Sequence, residues 1–308
     1  MSEKKKISVV VPIFNEVAMI DEICRRIRTV CRSMTDYVYE IVFFDDGSTD
    51  GTRTAIEQIC AECDDVKAVL YARNFGYLKT TFYAMQQARG DCAVIVHADL
   101  QNPPELVAKW EQGAQVVLGV KNQSHEKKLV YFLRTVFYFL MIKVFGIPLI
   151  PHATEFELFD RSFIEILRNI KTNTPFLRGM VLEYASRVDR IYYTQDARKK
   201  GRSKFNLNKY YDFALCGITQ YSAVLPRRII FGSLIALALV AAEFICTAVF
   251  TFPGADGLTV MNAVILRCVL AALCVLSGIS GLIFEFIIAL SRNTVDKPLI
   301  VEEKRIHY

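Results

Sequence analysis

Polar side chains with carboxylate or amide oxygens follow three short apolar runs in the N-terminal part of the chain. They are Asn15, Asp45, Asp46, Asp99 and Gln101. The apolar runs are rich in β-branched residues, which is typical of buried strands. Ligands of parallel α/β sheets bind where the strands end on their carboxyl side. We therefore expect these side chains to converge on one crevice, where their oxygens accept hydrogen bonds from a polar ligand.

The elements that would position these residues alternate between strands and helices. The apolar runs predict strands at 7–14, 40–44, 66–71, 92–96 and 116–119. Helical spacing of apolar residues predicts helices at 17–31 and 78–87, and the turn 45–52 offers Ser, Thr and Asp caps for another helix. This alternation predicts an α/β fold with a largely parallel sheet.

The composition departs from that of a soluble domain, and most of the departure falls after residue 228. The chain has 308 residues, of which 53% are hydrophobic and 22% charged, and its mean hydropathy is +0.27. Soluble domains average about 45–50% apolar and about 25% charged residues. The excess of hydrophobic residues after residue 228 excludes an ordinary soluble enzyme, a disordered chain and a fibrous repeat. The net charge of +5 and pI near 8.6 fit a membrane-surface protein and are too small to indicate a nucleic-acid partner.

Nine cysteines are spread along the chain, without the density of a small disulfide-rich domain. Cys60 and Cys63 form a CxxC pair, but no second pair of cysteines or histidines follows to complete a zinc site. We interpret them as two partly buried thiols on one helix. The polar segment 1–6 leads directly into a strand, so no signal peptide is predicted and the soluble part is expected in the cytoplasm.

Two apolar stretches, 229–250 and 263–284, contain one charged residue each, Glu243 and Arg267. About 20 apolar residues span the core of a bilayer, so the stretches predict a two-helix transmembrane hairpin. Basic residues before the first stretch and after the second place both termini and the catalytic domain in the cytoplasm, in a multi-pass protein of the cell membrane. We expect Glu243 and Arg267 to form an ion pair, within the hairpin or between protomers; the alternative is that each snorkels separately or faces a neighbouring molecule.

This pattern predicts three domains: a cytoplasmic catalytic domain at 1–228, the transmembrane hairpin at 229–290 and a cytoplasmic tail at 291–308. Within the first domain, the apolar but charge-interrupted segment 129–150 is expected to lie in the membrane interface rather than to span it. The tyrosine-rich segment 207–226 is expected to lie along the lipid headgroups.

Several motifs, taken in order, resemble those of one enzyme group. They are VVVPIFNE at 9–16, DDGSTDGT at 45–52, ARNFG at 72–76, ADLQNPPE at 98–105 and RKKGRSKF at 198–205. The chain resembles the polyisoprenyl-phosphate glycosyltransferases of glycosyltransferase family 2, which include dolichyl-phosphate mannose synthases and bactoprenol glucosyltransferases. The resemblance implies a nucleotide-diphospho-sugar transferase fold of the GT-A type. It also implies an enzyme that transfers a hexose, with inversion and with Mg²⁺ or Mn²⁺, from a nucleotide sugar to a polyisoprenyl phosphate of the undecaprenyl type.

The resemblance implies which residues bind the nucleotide sugar. They are Pro12, Asn15, Glu16, Asp45, Asp46 and Asp99. A carboxylate at a strand end accepts hydrogen bonds from a pyrimidine N–H and from ribose hydroxyls, which suits these positions. The alternative is that the first five serve only as turn and cap residues. A uridine donor is favoured over a guanosine donor.

The resemblance implies a metal site formed by His97, Asp99 and Gln101. The group usually has aspartate at the position of His97. Histidine ligates manganese but suits magnesium poorly. Three alternatives follow. The metal preference shifts toward manganese, or the activity is weakened. In the third alternative His97 does not bind the metal but contacts its ligands, and Asp99 is the main metal ligand.

The segment 154–161 departs from the family pattern at the position usually assigned to the catalytic base. Glu155 keeps the carboxylate but adds a methylene, and Glu157 replaces a cation with an anion. A phosphate monoester has a second pKa of about 6 and is largely ionised at neutral pH, so proton removal is undemanding. Glu155 is therefore predicted to be catalytic by orienting the acceptor or the metal shell; a structural role is the alternative.

A basic run around Gly201 is the strongest cationic feature of the sequence. Its members are Arg198, Lys199, Lys200, Arg202 and Lys204. By resemblance it is the acceptor-side loop, in which Arg198, Arg202 and Lys204 bind the lipid phosphate and Arg198 and Lys204 assist catalysis. Lys121 and Arg134 are further phosphate-binding candidates. The alternative is a solvated basic patch attracted to anionic headgroups.

The resemblance also implies a homo-oligomer, with a tetramer expected. The segment 297–301 resembles a tail segment of the family, and we expect that it can reach a neighbouring protomer. A different function class stays open: a degenerate, non-catalytic member that binds lipid phosphate or nucleotide sugar as a scaffold. A processive polymerase is disfavoured, because the sole tryptophan, Trp110, is not part of the QxxRW-type motif of such enzymes.

Overall fold

The residues described by the computed structural model are 4–96, 105–123, 128–147, 149–151, 153–194, 214–218, 257–294 and 298–308, together with scattered positions from 221 to 242. The chain divides into two compact units. The first comprises Met1–Tyr138, Pro148–Leu207 and Asp296–Tyr308, and the second comprises Phe139–Ile147 and Asn208–Val295.

The described elements alternate in the first half of the chain, as the sequence predicts. The strands are β1 (Lys5–Ile13), β2 (Tyr37–Asp45), β3 (Val66–Tyr71), β4 (Cys92–Ile95), β5 (Val116–Gln123), β6 (Ala153–Asp160), β7 (Val188–Thr194) and β8 (Glu302–Ile306). The helices are α1 (Ile20–Ser33), α2 (Thr52–Glu62), α3 (Tyr77–Gln87), α4 (Glu105–Glu111), α5 (Lys128–Phe139), α6 (Arg161–Asn169), α7 (Leu177–Tyr184) and α8 (Gly257–Thr294).

The eight strands of the described residues belong to one sheet, in the order β7-β5-β6-β4-β1-β2-β3-β8. The central strands β4, β1, β2 and β3 pair in parallel, which confirms the α/β fold predicted from the sequence. β6 runs antiparallel to both β4 and β5, and β8 runs antiparallel to β3 at the edge of the sheet. The sheet is therefore mixed rather than wholly parallel.

The core lies between the parallel strands and the helices that cover them. Val10, Val11, Val42 and Phe43 are fully buried, because strands covered on both faces expose neither set of alternating side chains. α1 packs on this sheet through Ile20, Ile23 and Ile27, among others, at helical spacing. This packing fixes where the central strands end, and hence where the predicted site residues lie.

A hydrogen-bonded junction at Asp160 joins β6, α4 and α6 on the side of the sheet where the parallel strand β4 begins. Asp160 caps α6 by accepting from the Ser162 N–H at 2.8 Å. Its second oxygen accepts from the indole N–H of Trp110, at 2.7 Å, on α4. Trp110 is nearly buried, so its N–H needs a protein acceptor here.

We expect Asp160→Ala to lower the free energy of unfolding by about 2 kcal/mol, because the helix loses its cap and the indole loses its acceptor. Fluorescence of Trp110, the only tryptophan in the chain, reports unfolding in urea directly. Asp36→Ala, at an exposed turn position, is the control and should change stability by less than about 0.5 kcal/mol. Equal effects of the two substitutions would contradict the role assigned to Asp160.

The second unit contains a turn of π-helix, Leu140–Val144, directly after α5, and the long helix α8. The guanidinium of Arg228 donates to the carbonyl of Lys143 at 2.5 Å. Several large apolar side chains of α8 are exposed, including Leu266, Leu273 and Leu290. Among the helices of the described ranges, none meets the combined length and hydropathy that crossing a bilayer requires. The predicted stretch 229–250 lies largely outside those ranges.

The structure describes the two segments that are expected to lie in the membrane interface only in part. In 129–150, α5 ends at Phe139 and the π-helical turn follows. Phe132 and Phe139 are exposed on this helical segment. Of 207–226, the structure describes residues 214–218 and 221, so the interfacial placement of both segments and the domain boundaries stay predictions.

Candidate active site

The carboxyl ends of β1 and β2 lie side by side. In the parallel register Ile13 is opposite Asp45, and the Asp46 N–H donates to the Ile13 carbonyl at 2.9 Å. The loops that follow the two strands therefore begin at the same edge of the sheet. This is the edge at which the sequence predicts a ligand site.

Side chains join the two loops to each other. The Asn15 N–H donates to the Ser48 hydroxyl at 2.8 Å, and the Thr49 N–H donates to Asn15 Oδ1 at 2.8 Å. The Glu16 N–H donates to the Thr52 hydroxyl at 3.0 Å. Asn15 has a φ of 53°, a left-handed conformation that asparagine adopts more readily than most residues. The two loops thus form one surface.

Asp45 lies beneath this surface with its side chain fully buried. Its carboxylate accepts from the Ser48 N–H at 3.2 and 3.3 Å. The guanidinium of Arg53, in the first turn of α2, donates through Nε to Asp45 Oδ2 at 3.0 Å. A buried carboxylate requires such a cation and such donors, because burial without them is strongly unfavourable.

Asp46 faces a third loop, which connects β3 to α3. Its two oxygens accept from the Phe75 N–H at 2.7 Å and the Gly76 N–H at 3.0 Å. Burial raises the pKa of the Asp46 carboxyl above its usual value, although these two N–H groups oppose the shift. Asp46 therefore anchors the ARNFG segment against the loop that follows β2.

The predicted nucleotide-binding residues divide by accessibility. Pro12, Asn15 and Glu16 are partly exposed at this edge, whereas Asp45 and Asp46 are buried by contacts with the protein. The accessible three offer ring, amide and carboxylate groups to a ligand, and the buried two hold the loops that present them. The structure brings all five together; their roles toward a nucleotide stay predictions.

Two further candidates lie in β5 and β6, which reach the same edge of the sheet. Because β6 runs opposite to β4 and β5, its beginning lies next to their carboxyl ends, and Val120 is opposite Ala153. This places Glu155, in β6, and Lys121, in β5, at the edge where Asp45 lies. Their side chains lie outside the description, as does that of Arg134 in α5.

Glu157, the second departure in this segment, is buried in β6 with 2% of its surface exposed. It lines a small cavity together with Arg178 of α7 and apolar side chains that include Leu118 and Leu149. The carboxylate that stands where the family has a cation is therefore buried, in a cavity that an arginine also lines.

The predicted metal ligands and the basic run fall outside the described residues. These are His97, Asp99 and Gln101, which come directly after β4, and Arg198, Lys199, Lys200, Arg202 and Lys204. Within the described ranges, no three His, Cys, Asp or Glu side chains are grouped closely enough to hold a metal ion. As a donor set, the oxygens of Asp99 and Gln101 fit Mg²⁺ or Mn²⁺, and the imidazole of His97 suits Mn²⁺ better.

Arg53 is the residue of this site that sequence reasoning missed. It follows the motif DDGSTDGT directly, eight positions after Asp45. The first turn of the following helix lies over the end of the strand, so a cation at that position can face the motif's first carboxylate. This spacing was the available signal.

Comparison with known proteins places this architecture in a family. The family model described as glycosyl transferase family 2 matches residues 8–184, which includes the loops described above. The prophage bactoprenol glucosyl transferase homolog of Escherichia coli is 31% identical over 245 residues, covering 78% of this chain and 79% of that protein. The uncharacterized glycosyltransferase YkcC of Bacillus subtilis is 28% identical over 312 residues, covering 99% of this chain and 95% of that protein.

A solved structure shares the fold at low sequence identity. It is glucosyl-3-phosphoglycerate synthase from Mycobacterium tuberculosis, crystallised with Mn²⁺, UDP and glucosyl-3-phosphoglycerate. The TM-score is 0.50 at 18% identity, over 70% of this chain and 78% of that one. The family match covers more than half of the chain and agrees with the α/β sheet and its joined strand-end loops, so this protein is a glycosyltransferase and belongs to glycosyltransferase family 2.

Proposed function

We propose that this enzyme transfers a sugar from a nucleotide sugar, with a UDP-sugar favoured, to a polyisoprenyl phosphate at the cytoplasmic face of a membrane. The observation that carries the proposal is the joined pair of loops after β1 and β2, which presents Pro12, Asn15 and Glu16 above the buried Asp45 and Asp46. The name of the Escherichia coli relative, a bactoprenol glucosyl transferase homolog, supports the lipid acceptor.

In the proposed reaction a phosphate oxygen of the acceptor attacks the anomeric carbon of the sugar. A new carbon–oxygen bond forms while the bond to the nucleoside diphosphate breaks, and the nucleoside diphosphate leaves from the opposite face, with inversion. The acceptor is largely ionised at neutral pH, so orientation and charge stabilisation matter more than proton removal. Glu155 would orient the acceptor, and the basic run 198–204 would bind its phosphate.

A divalent cation, Mg²⁺ or Mn²⁺, held by Asp99 and Gln101 with or without His97, would neutralise charge on the departing diphosphate. The Mn²⁺ and UDP in the crystal structure of the mycobacterial synthase are consistent with such a site. In the sequence these candidate ligands come after β4, and β4 itself, through its parallel pairing with β1, ends on the side of the sheet where Asp45 lies.

The membrane location is part of the proposal. The apolar stretches 229–250 and 263–284 support it, together with the exposed apolar side chains of α8 and of the helical segment that includes Phe132 and Phe139. A lipid phosphate held at headgroup height would then meet a nucleotide sugar that enters from the cytosol. The homo-oligomeric state stays a prediction.

The test is a transfer assay with the full chain in detergent or lipid nanodiscs. We expect release of a nucleoside diphosphate that requires a short-chain polyprenyl phosphate, Mg²⁺ or Mn²⁺, and one donor from a panel of nucleotide sugars. Asp99→Asn should lower the rate by about 100-fold or more, because a metal ligand is lost. Asp64→Asn, the same change at an exposed turn position, should leave it unchanged.

Two outcomes would overturn the proposal. Nucleotide or lipid-phosphate binding without turnover across the whole panel would favour the non-catalytic scaffold. Turnover that does not depend on the lipid phosphate would show that a different acceptor is used.

A further inference from the structure

The C-terminal strand β8 completes one edge of the catalytic sheet in the same chain. It pairs antiparallel with β3, with Tyr71 opposite Glu302, and the Ala72 N–H donates to the Val301 carbonyl at 2.9 Å. β3 is in turn paired in parallel with β2, where Leu70 is opposite Asp45. The start of β8 therefore lies at the edge of the sheet where the nucleotide is proposed to bind.

Arg53 connects this strand to Asp45. Its Nε donates to Asp45 Oδ2 at 3.0 Å, and its Nη1 donates to Glu303 Oε2 at 2.7 Å. Its Nη2 donates to the backbone carbonyl of Tyr71, the last residue of β3. All three guanidinium nitrogens are thus engaged, each by a different strand: β2, β8 and β3.

This arrangement fixes the orientation of a planar, forked side chain. A guanidinium held at three nitrogens has one geometry, whereas a lysine ammonium in its place could not reach three separate acceptors. Asp45 is fully buried and its charge is compensated by Arg53, so the position of the arginine determines the position of the carboxylate.

We propose that Arg53 is a positioning residue that couples the docking of the C-terminal strand to nucleotide affinity: Glu303 of β8 holds Arg53, and Arg53 holds Asp45 beneath the nucleotide loops. The inference rests on the proposed function, because it takes the loops around Asp45 to bind the nucleoside diphosphate part of the donor. Through this coupling, the strand β8 contributes to nucleotide binding in addition to covering the edge of the sheet.

The ion pair of Glu303 can be removed without removing the contacts that anchor β8. Its side chain is 56% exposed, and exposed ion pairs contribute little to stability. β8 is anchored independently by Lys304, which pairs with Glu57 at 2.6 Å, and by Glu302, which accepts from the Tyr83 hydroxyl at 2.7 Å. Replacing the carboxylate of Glu303 by a neutral amide should therefore leave the strand docked while it weakens one of the three contacts of Arg53.

The experiment measures the dissociation constant of UDP, and of GDP for comparison, by calorimetry on the full chain in detergent. We expect Glu303→Gln to weaken nucleotide binding about tenfold and Arg53→Lys about 30-fold, as loss of hydrogen bonds to charged groups predicts. The unfolding midpoint of Glu303→Gln should match that of the wild type. Lys304→Gln, the control, removes an ion pair of the same strand that does not reach Arg53, and should bind nucleotide like the wild type.

The double variant Arg53→Lys/Glu303→Gln distinguishes coupling from two independent effects. If Glu303 acts through Arg53, the double variant should bind no more weakly than Arg53→Lys alone. Wild-type affinity in Glu303→Gln, or an equal loss in Lys304→Gln, would overturn the coupling and leave the proposed function standing. If the wild-type chain binds neither nucleotide, the proposed function fails and the coupling fails with it.

Discussion

Glu40→Ala is expected to lower the free energy of unfolding by about 3 kcal/mol, since it breaks a buried charge cluster by removing the central member. Glu40 is 3% exposed in β2 and accepts from the Ser8 hydroxyl at 2.7 Å. Lys6 and Lys67 lie on its other oxygen, with Nζ at 2.6 and 2.9 Å. Alanine would leave two partly buried ammonium groups and a buried hydroxyl without their acceptor.

The same cluster predicts in which direction the free energy of unfolding changes with pH. Burial alone would raise the pKa of Glu40, but the hydrogen bonds from Lys6, Ser8 and Lys67 outweigh it, so the pKa lies below its usual value. A carboxyl whose pKa is lower in the folded state stabilises the fold above its unfolded pKa, about 4.3 for glutamate, and this stabilisation is lost as the pH falls through the folded pKa.

Unfolding in urea between pH 7 and pH 3 measures this contribution in the wild type and in Glu40→Gln. The difference in unfolding free energy between the two should be largest near pH 7 and shrink as the solution is acidified. Glu111→Gln breaks the exposed pair with Lys5 and should cost less than about 1 kcal/mol at any pH. A Glu40→Gln difference that stays constant with pH would contradict the paired, ionised state of Glu40.

The central strands were predictable because burial on both faces leaves a continuous apolar signal. β1, β2 and β3 end within about two residues of the predicted positions, and so the polar residues that follow them lie where the sequence places them. The convergence of Asn15 with Asp45 and Asp46 follows from parallel pairing alone. It needs no knowledge of side-chain packing.

The edge strands were not predictable by the same reasoning. β8 has the sequence EEKRI, with its central residues exposed, and lacks the apolar run that marks a buried strand. It is held by charges and by backbone pairing with β3, and its partners Arg53 and Glu57 are distant in sequence. An interaction of this kind is visible only once the fold has brought the two segments together, so its contribution to the site could not be read from local patterns.

Gly47→Ala is expected to be the most damaging small substitution in the candidate site. Gly47 has a φ of +74°, in the left-handed region, where a side chain costs about 1–2 kcal/mol. A Cβ atom there would also lie 2.6 Å from the Asn74 nitrogen and within 3 Å of backbone atoms of Arg73. Since backbone cannot rotate away as a side chain can, the segment 73–76 would have to shift, and we expect a total loss of about 3 kcal/mol or more.

Gly51→Ala separates the clash from the backbone strain. Gly51 also has a positive φ, +95°, but the nearest atom to its Cβ would be Val17 Cγ2 at 3.8 Å, an ordinary contact. Gly51→Ala should therefore lower the free energy of unfolding only by the cost of a left-handed backbone, about 1–2 kcal/mol. A shift of the segment 73–76 in Gly47→Ala would also pull the Phe75 and Gly76 N–H groups from Asp46, so UDP affinity should fall about tenfold or more in this variant alone. Equal stability and equal affinity in the two variants would show that the close approach of the two loops at Gly47 does not organise the site.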